Sequence, residues 1–251
     1  MRILVCVKRV PITGGKIVLS EDARAIDTRF LGFTVSPHEE CAVEEAVRLV
    51  EANGGETVVL TLGPPEAEEQ LRDAMAIGAD RGVLLETDGA DWDPQATARA
   101  IAEQIGQEEA FDLLLFGNEA ADSGDYQVAI RVAHALNLPC VTGVKSIEIR
   151  DGRALVKRET AGGWEVFELS SPAVVAVREG INLPRFPSVP GRLRAKAKPV
   201  DRVPVKPEPG GQEMVALKLP PGSGKRVEVL GHGPEAAPKV VEVLRSLGMV
   251  S

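Results

Sequence analysis

The chain has 251 residues, of which 44% are hydrophobic and 26% charged, with a formal net charge of -8 at pH 7. That length accommodates one large core, or a core with an appendage, in an ordinary globular protein. The acidic balance excludes nucleic acid as the main partner, because phosphate binding needs a basic surface. No apolar stretch approaches the roughly 20 residues of a membrane span, so no membrane insertion is expected. Cys6, Cys41 and Cys140 are odd in number, far apart and each in an apolar context, which excludes a disulfide framework and a CxxC metal site. His38, His134 and His232 form no HExxH or closely spaced pair, so no metal site is expected.

The chain starts MRILVCVKRV, a short apolar run stopped by Lys8 and Arg9 with no small-residue cleavage site. It reads as a first strand and not as a signal peptide. The expected location is the cytoplasm, or the mitochondrial matrix if the source is eukaryotic. RILVCVK (2 to 8), TVVLTL (57 to 62), GVLLE (82 to 86) and DLLLFG (112 to 117) are nearly continuous apolar runs, as in strands covered on both faces. Helical patterns lie between them. Ser36, Pro37 and Glu39 make an N-cap, a first-turn proline and a capping box, followed by Val43, Ala46, Val47 and Val50 on one face and a stop at Gly54-Gly55. A second helix is expected from Pro64 or Pro65 with Leu71, Ala74 and Met75 inward, a third from about Pro94 with Ile101 and Ile105 buried, and a fourth from about Asp125 through Ala135. This alternation implies an α/β fold, a doubly wound, mostly parallel sheet with helices on both faces.

After Pro139 the pattern changes to VTGVKSIEIR, RALVKRET and WEVFELS, three strands joined at Asp151-Gly152 and at AGG, forming a β-hairpin extension. PAVVAV (172 to 177) reads as one more buried strand. From 180 onward prolines at 184, 187, 190, 199, 204, 207, 209, 220 and 221 predict an extended C-terminal arm, closed by an amphipathic helix over about Pro234 to Leu247 with Val240, Val243, Leu244 and Leu247 apolar. Such an arm must lie on this domain or on another chain. Gly180 to Val200 holds no acid but carries Arg185, Arg192, Arg194, Lys196 and Lys198.

The stretch GNEAADSGDYQV (117 to 128) follows a buried strand, and in a doubly wound sheet ligands bind outside the carboxyl ends of the strands. Gly117 and Gly124 allow close backbone approach, and the free N–H groups of a helix starting near Asp125 attract phosphate. Asp122 and Asp125 oppose an anion unless they turn away and cap the loop. The same pattern also fits an ordinary strand-to-helix turn with surface acids.

Taken together, ILVCVKRV, SPHEECAVEEAVRL (36 to 49), AMAIGADRGVLL (74 to 85), GNEAADSGDYQV and VKRETAGGWEVFELSSPAVVAV (156 to 177) make the chain resemble the beta subunit of electron-transfer flavoprotein along nearly its whole length. The last stretch departs from the family signature at Ala161, where an acid is usual, and at Phe167, where an aliphatic is usual. The resemblance implies an electron carrier with no catalytic residue of its own, in an adenine nucleotide alpha hydrolase-like fold. It implies a heterodimer with a larger alpha subunit that holds most of an FAD, takes electrons from flavin dehydrogenases such as those of fatty acid oxidation and passes them to a membrane quinone reductase. On that basis residues 1 to 183 form the nucleotide domain, and residues 184 to 251 form a recognition loop and an arm packing on the alpha subunit.

In such proteins the beta subunit holds a structural AMP. By position, the AMP contacts would be Cys6, Ser36, Pro37, His38, Glu39, Leu62, Gly117, Asn118, Glu119, Ala120, Ala121, Asp122, Ser123, Gly124, Asp125, Tyr126, Gln127 and Val128. Thr13 and His38 match positions near the flavin where relatives carry aromatics, and neither is aromatic here. The plain reading of His38 is a surface residue of a helix first turn, where His⁺ is disfavoured; near a flavin its imidazole would tune the ring. The basic segment matches a loop that recognises dehydrogenases, with Val189 as apolar anchor and Arg185, Arg192 and Arg194 around it. Glu165 matches an acid assigned to release of the mobile flavin domain. For the basic residues and Glu165 the plain readings are a solvated face and a hairpin-edge charge.

Two other classes compete. A stand-alone nucleotide sensor similar to universal stress proteins would need G-x-x-G-x(9)-G-S/T, which residues 117 to 143 do not match. A nucleotide hydrolase would need a complete Walker motif, but GSGK (222 to 225) has Leu219 where a glycine is required and Arg226 where Ser or Thr is required.

Overall fold

The computed structural model describes residues 1–15, 17–206, 211–221 and 228–250. The GSGK stretch therefore lies outside the described residues. In chain order the elements are β1 (Arg2–Cys6), β2 (Val10–Pro11), β3 (Phe33–Thr34), α1 (Pro37–Asn53), β4 (Glu56–Gly63), α2 (Glu68–Ile77), β5 (Arg81–Glu86), α3 (Pro94–Ile105), β6 (Leu113–Gly117) and α4 (Val128–Ala135). They continue with β7 (Cys140–Arg150), β8 (Arg153–Thr160), β9 (Gly163–Ser170), β10 (Ala173–Val177), α5 (Val189–Ala197), β11 (Val200–Pro204) and α6 (Ala237–Ser246).

Among the described residues one sheet has the order β11-β5-β4-β1-β6-β10-β7-β8-β9. Every pairing from β11 to β7 is parallel, while β7 with β8 and β8 with β9 are antiparallel. The apolar runs bury both faces because alternate side chains point to opposite sides. Ile3 and Val5 join a core with α1, α2 and α5, while Leu4 and Cys6 join a second core with α3 and α4.

The expected capping box is present. The Ser36 hydroxyl accepts from the Glu39 N–H at 3.2 Å, and the Ser36 N–H donates to Glu39 Oε2 at 3.0 Å. The fourth helix starts at Val128, later than the expected Asp125, because the Asp125 carboxylate accepts the Gln127 N–H at 2.7 Å and its carbonyl accepts the Ala120 N–H at 2.9 Å. Those bonds favour a turn over a helix at Asp125.

Within the proline-dense segment, residues 189–204 depart from the extended arm that its composition predicts and fold onto the domain as α5 and β11. Ser188 caps α5 by accepting the Gly191 N–H at 3.1 Å, and Pro190 stands in the first turn, where a missing N–H costs nothing. Lys198 turns extended before Pro199 and ends the helix. Strand β11 then pairs with β5 at the sheet edge, with Pro204 at its end. Arg72 of α2 donates to the Ala195 and Lys198 carbonyls at 2.6 Å, and Lys198 Nζ donates to the Ala79 carbonyl at 2.6 Å. Each helix thus receives a cation at its C-terminal end. A Cβ at Gly191 would lie 2.6 Å from the Ala76 carbonyl oxygen, so only glycine permits this approach of α5 to α2.

The structure divides into compact units Met1–Val215 and Ala216–Ser251. In the second, a 3₁₀ turn at Pro234–Ala236 leads into α6, whose Val240, Val243 and Leu247 are exposed. No helix among the described residues is long and apolar enough to cross a membrane.

Candidate functional site

Strands β1 and β6 are neighbours at the middle of the sheet, and their following helices depart to opposite faces, α1 to one core and α4 to the other. That reversal opens a crevice at the carboxyl ends of these strands. The segment 117 to 128 lies at its edge. Gly117 is required there, since a Cβ would sit 2.7 Å from Glu39 Cγ and 3.3 Å from the Glu39 nitrogen.

Glu39 knits the floor together. Its Oε1 accepts the Lys8 N–H at 2.9 Å, just beyond β1, and its Oε2 accepts the Ser36 N–H. Burial pushes its carboxyl up to about 8, against the bonds from Ser36 and Lys8. The Cys6 thiol is likewise pushed up by burial, and then by Glu39, so it is an inert wall. Leu62 packs beside the second core at the end of β4.

The loop itself is folded on its own backbone. Asn118 donates its N–H to the Val177 carbonyl at 2.9 Å, and its Oδ1 accepts the Gly143 N–H at 2.7 Å, tying β6 to β10 and β7. The Gly124 N–H donates to the Ala120 carbonyl at 2.8 Å, with Gly124 at φ 64. Ala121 and Ser123 are exposed at the tip. Tyr126 donates from its hydroxyl to Glu119 Oε2 at 2.5 Å, and Gln127 Oε1 accepts from Arg131 at 2.8 Å. The two acids that would repel an anion are both occupied: Asp125 caps Gln127, and Asp122 Oδ2 lies 2.7 Å from Lys8 Nζ across the crevice. No side chain caps the first turn of α4, whose N–H groups face this loop with Val128 at its start.

His38 is not the solvated first-turn residue of the plain reading. Its Nδ1 accepts the Glu179 N–H at 3.0 Å, and its Nε2 lies 4.0 Å from Glu119 Oε2. These two contacts fix the orientation of the ring. It lines a cleft of about 670 Å³ with Asn118, Glu119, Tyr126, Gly143, Lys145, Arg178, Glu179 and Gly180. Lys145 and Arg178 were missed by sequence reasoning, although Arg178 directly follows a buried parallel strand, the same signal that marked Gly117. Thr13 is exposed and, among the described residues, makes no hydrogen bond to the loop.

Of the expected docking residues, Val189, Arg192 and Arg194 are exposed on α5. Arg185 is not a free steering charge: its guanidinium holds Glu44 at 2.9 Å and Glu51 at 2.7 Å. Glu51, then Glu44, holds the Arg185 pKa above its ordinary value. Glu165 pairs with Arg158 across β8 and β9 at 2.6 Å.

The fold is a doubly wound, mostly parallel α/β sheet with a crevice at the carboxyl ends of its central strands. The electron transfer flavoprotein domain matches residues 26–208. The chain is 34% identical over 254 residues to the electron transfer flavoprotein subunit beta of Bacillus subtilis (strain 168), covering 98% of each chain. It is 36% identical to that of Syntrophomonas wolfei, covering 98% of this chain and 96% of the relative. It is also 36% identical over 205 residues to the caffeyl-CoA reductase-Etf complex subunit CarD of Acetobacterium woodii, covering 80% and 77%. The chain belongs to the electron-transfer flavoprotein family, and its likeness is to the beta subunit.

Proposed function

We propose that this chain is the AMP-holding subunit of a cytoplasmic heterodimeric electron carrier. The larger alpha subunit carries most of the FAD, receives electrons from flavin dehydrogenases, of which acyl-CoA dehydrogenases are the type, and delivers them to a membrane quinone reductase. The observation that carries the nucleotide assignment is the occupied state of Asp122 and Asp125 at the mouth of the crevice. With both acids turned to Lys8 and Gln127, the uncapped first turn of α4 and the glycine at 124 fit a phosphate. Cys6, Leu62 and the α1 N-terminus offer an apolar wall for a base. The chain has no dinucleotide fingerprint, so its share of FAD binding is slight.

The flavin supplies the redox chemistry when bound. The chain's own residues support the nucleotide, position His38 beside the cleft and present Val189 with Arg192 and Arg194 to the electron donor. Glu165 acts in release of the flavin domain, in exchange with its Arg158 pairing. Co-expression with the alpha subunit followed by purification tests the reading: a yellow complex of two chains is expected, and mass spectrometry of released ligand should find AMP besides FAD. ATP or no nucleotide would refute the AMP assignment, and a colourless homodimer would favour a sensor.

A further inference from the structure

Among the described residues the main sheet ends in two edges, β11 and β9, that are built differently. Strand β11 has five residues, exposes Asp201 and Arg202 but no large apolar side chain, and ends in Pro204. Shortness, charge and proline are devices that keep a sheet edge from pairing with another chain. Strand β9 is eight residues long, holds no proline, and pairs with β8 along its whole length without a register shift. Its Trp164 is 57% exposed and its Val166 54%. Its two acids leave little net charge on the edge, because Arg158 holds Glu165 at 2.6 Å and Arg153 holds Glu168 at 2.8 Å.

Successive side chains of a strand point to opposite faces. On one face of β9, Phe167 packs on the first core and Leu169 is buried. On the other, Trp164 and Val166 stand two residues apart over a depression of about 310 Å³ that Ser146 and Lys157 complete. An aromatic and a β-branched side chain along an unguarded edge invite association in water. An electron carrier must leave its donor after each transfer, so a donor would leave this edge bare for much of the time. A permanently bound subunit covers it from assembly onward, and permanent interfaces are the more apolar ones.

We propose that β9 is an assembly edge for the alpha subunit, which lays an extended segment along Gly163–Ser170 as a further strand and seats an apolar side chain against Trp164 and Val166. This rests on the reading of the chain as one half of a heterodimer. The main-chain N–H and C=O groups that β9 turns away from β8 supply the affinity, and the depression beside Trp164 supplies the side-chain selectivity. The segment that fits is apolar at alternate positions and carries no positive charge there, since Lys157 borders the depression.

The test uses the full chain co-expressed with the alpha subunit, and reads how fast the chain in the purified heterodimer exchanges for a fluorescently labelled copy. Trp164→Ala should speed that exchange by about ten-fold, and Val166→Lys, which installs an edge guard, by about as much. The melting temperature of the chain alone should not move in either variant, since both side chains are largely in water there. Trp164→Phe keeps an aromatic anchor and should stay within about three-fold of the wild type. Amide hydrogen exchange over residues 163 to 170 should slow at alternate positions on assembly, as in a strand bonded on its second side. Wild-type exchange rates in both Trp164→Ala and Val166→Lys overturn the proposal, as do amide rates that assembly leaves unchanged. A chain that self-associates when alone, and that Val166→Lys makes monomeric with the heterodimer intact, would assign the edge to a second copy and overturn it likewise. Failure of the wild-type chains to form a yellow heterodimer would overturn the underlying reading as well, and is recognised before any variant is made.

Discussion

Helix α1 carries two buried acids, Glu39 beneath the loop of residues 117–128 and Glu44 beneath the strap of residues 182–188, and the structure satisfies them in opposite ways. Glu39 receives two backbone N–H groups and no guanidinium, whereas Glu44 receives a backbone N–H and the fork of Arg185. The loop above Glu39 is closed by its own backbone bonds, by side chains of its own such as Asn118 and Asp125 that accept backbone N–H groups, and by the ion pair to Lys8; the strap above Glu44 is closed by side chains reaching into α1. A region held by backbone bonds keeps its peptide groups in a fixed array toward a ligand. A region held by inward side chains leaves its remaining side chains free to be presented. Under the proposed function, the first arrangement suits a small anion and the second a protein surface.

The largest effect that separates them is in pH. Because burial raises the folded-state pKa of Glu39 to about 8, the folded protein binds this proton more tightly than the unfolded chain does. Its contribution to stability is present at pH values below the ordinary carboxylate range and is lost as pH rises toward 8. A change of about 3–4 kcal/mol between pH 5 and pH 8 is expected. Glu39→Gln should flatten that slope while losing the Ser36 N–H bond, at a cost of about 1 kcal/mol at low pH. Urea unfolding of both proteins at several pH values measures the difference. Parallel slopes would show that Glu39 is ionised throughout and that the floor of the loop is not a titrating one.

The next effect tests the close approaches. Gly117→Ala drives a Cβ against Glu39, and Gly191→Ala drives one against the Ala76 carbonyl oxygen. Each should cost about 1–3 kcal/mol. They should differ in function: the first should lower AMP retention with dehydrogenase coupling intact, and the second should shift α5 and weaken coupling with AMP intact. Chemical denaturation, nucleotide content and KM, measured on both variants, check the assignment. Loss of both functions in either variant would mean that loop and strap are not independent.

Much of this layout was legible in the chain. The four apolar runs and the 3.6-residue patterns between them fix a parallel sheet, and the Ser36-Glu39 box announces α1 because its chemistry is local. Helix α5 was not legible, since composition puts prolines at 187, 190 and 199 while the helix fits the proline-free residues between the last two and takes Pro190 into its first turn. What stabilises it, the Arg72 and Lys198 caps and the Gly191 contact, lies more than a hundred residues away along the chain. Lys145 and Arg178 were missed for a related reason. They line one cleft because β7 lies beside β10, with a register shift between Val175 and Val177, and strand order is not written in either segment. His38 looked solvated because its partner, the Glu179 N–H, comes from the end of a strand far along the chain.

The smallest effect concerns the ion pair that ties the loop to Lys8, just beyond β1. Lys8 Nζ holds both oxygens of Asp122, at 2.9 and 2.7 Å, and both side chains have access to water. An exposed pair of this kind contributes about 0.2–1 kcal/mol to stability, so Asp122→Asn should barely move the unfolding midpoint. Its consequence for a nucleotide should be larger than its consequence for the fold. With Asp122 neutral, Lys8 no longer has a competing carboxylate and one negative charge leaves the crevice mouth, so a phosphate should bind roughly two- to five-fold more tightly at low salt, less so near 0.3 M, where charges are screened within about 6 Å. Lys8→Met should act in the opposite sense by leaving Asp122 unpaired toward the phosphate. Isothermal titration of nucleotide-stripped heterodimer with AMP at both salt concentrations separates these outcomes. If the two substitutions change affinity in the same direction, Lys8 and Asp122 act as a structural latch and neither faces the phosphate.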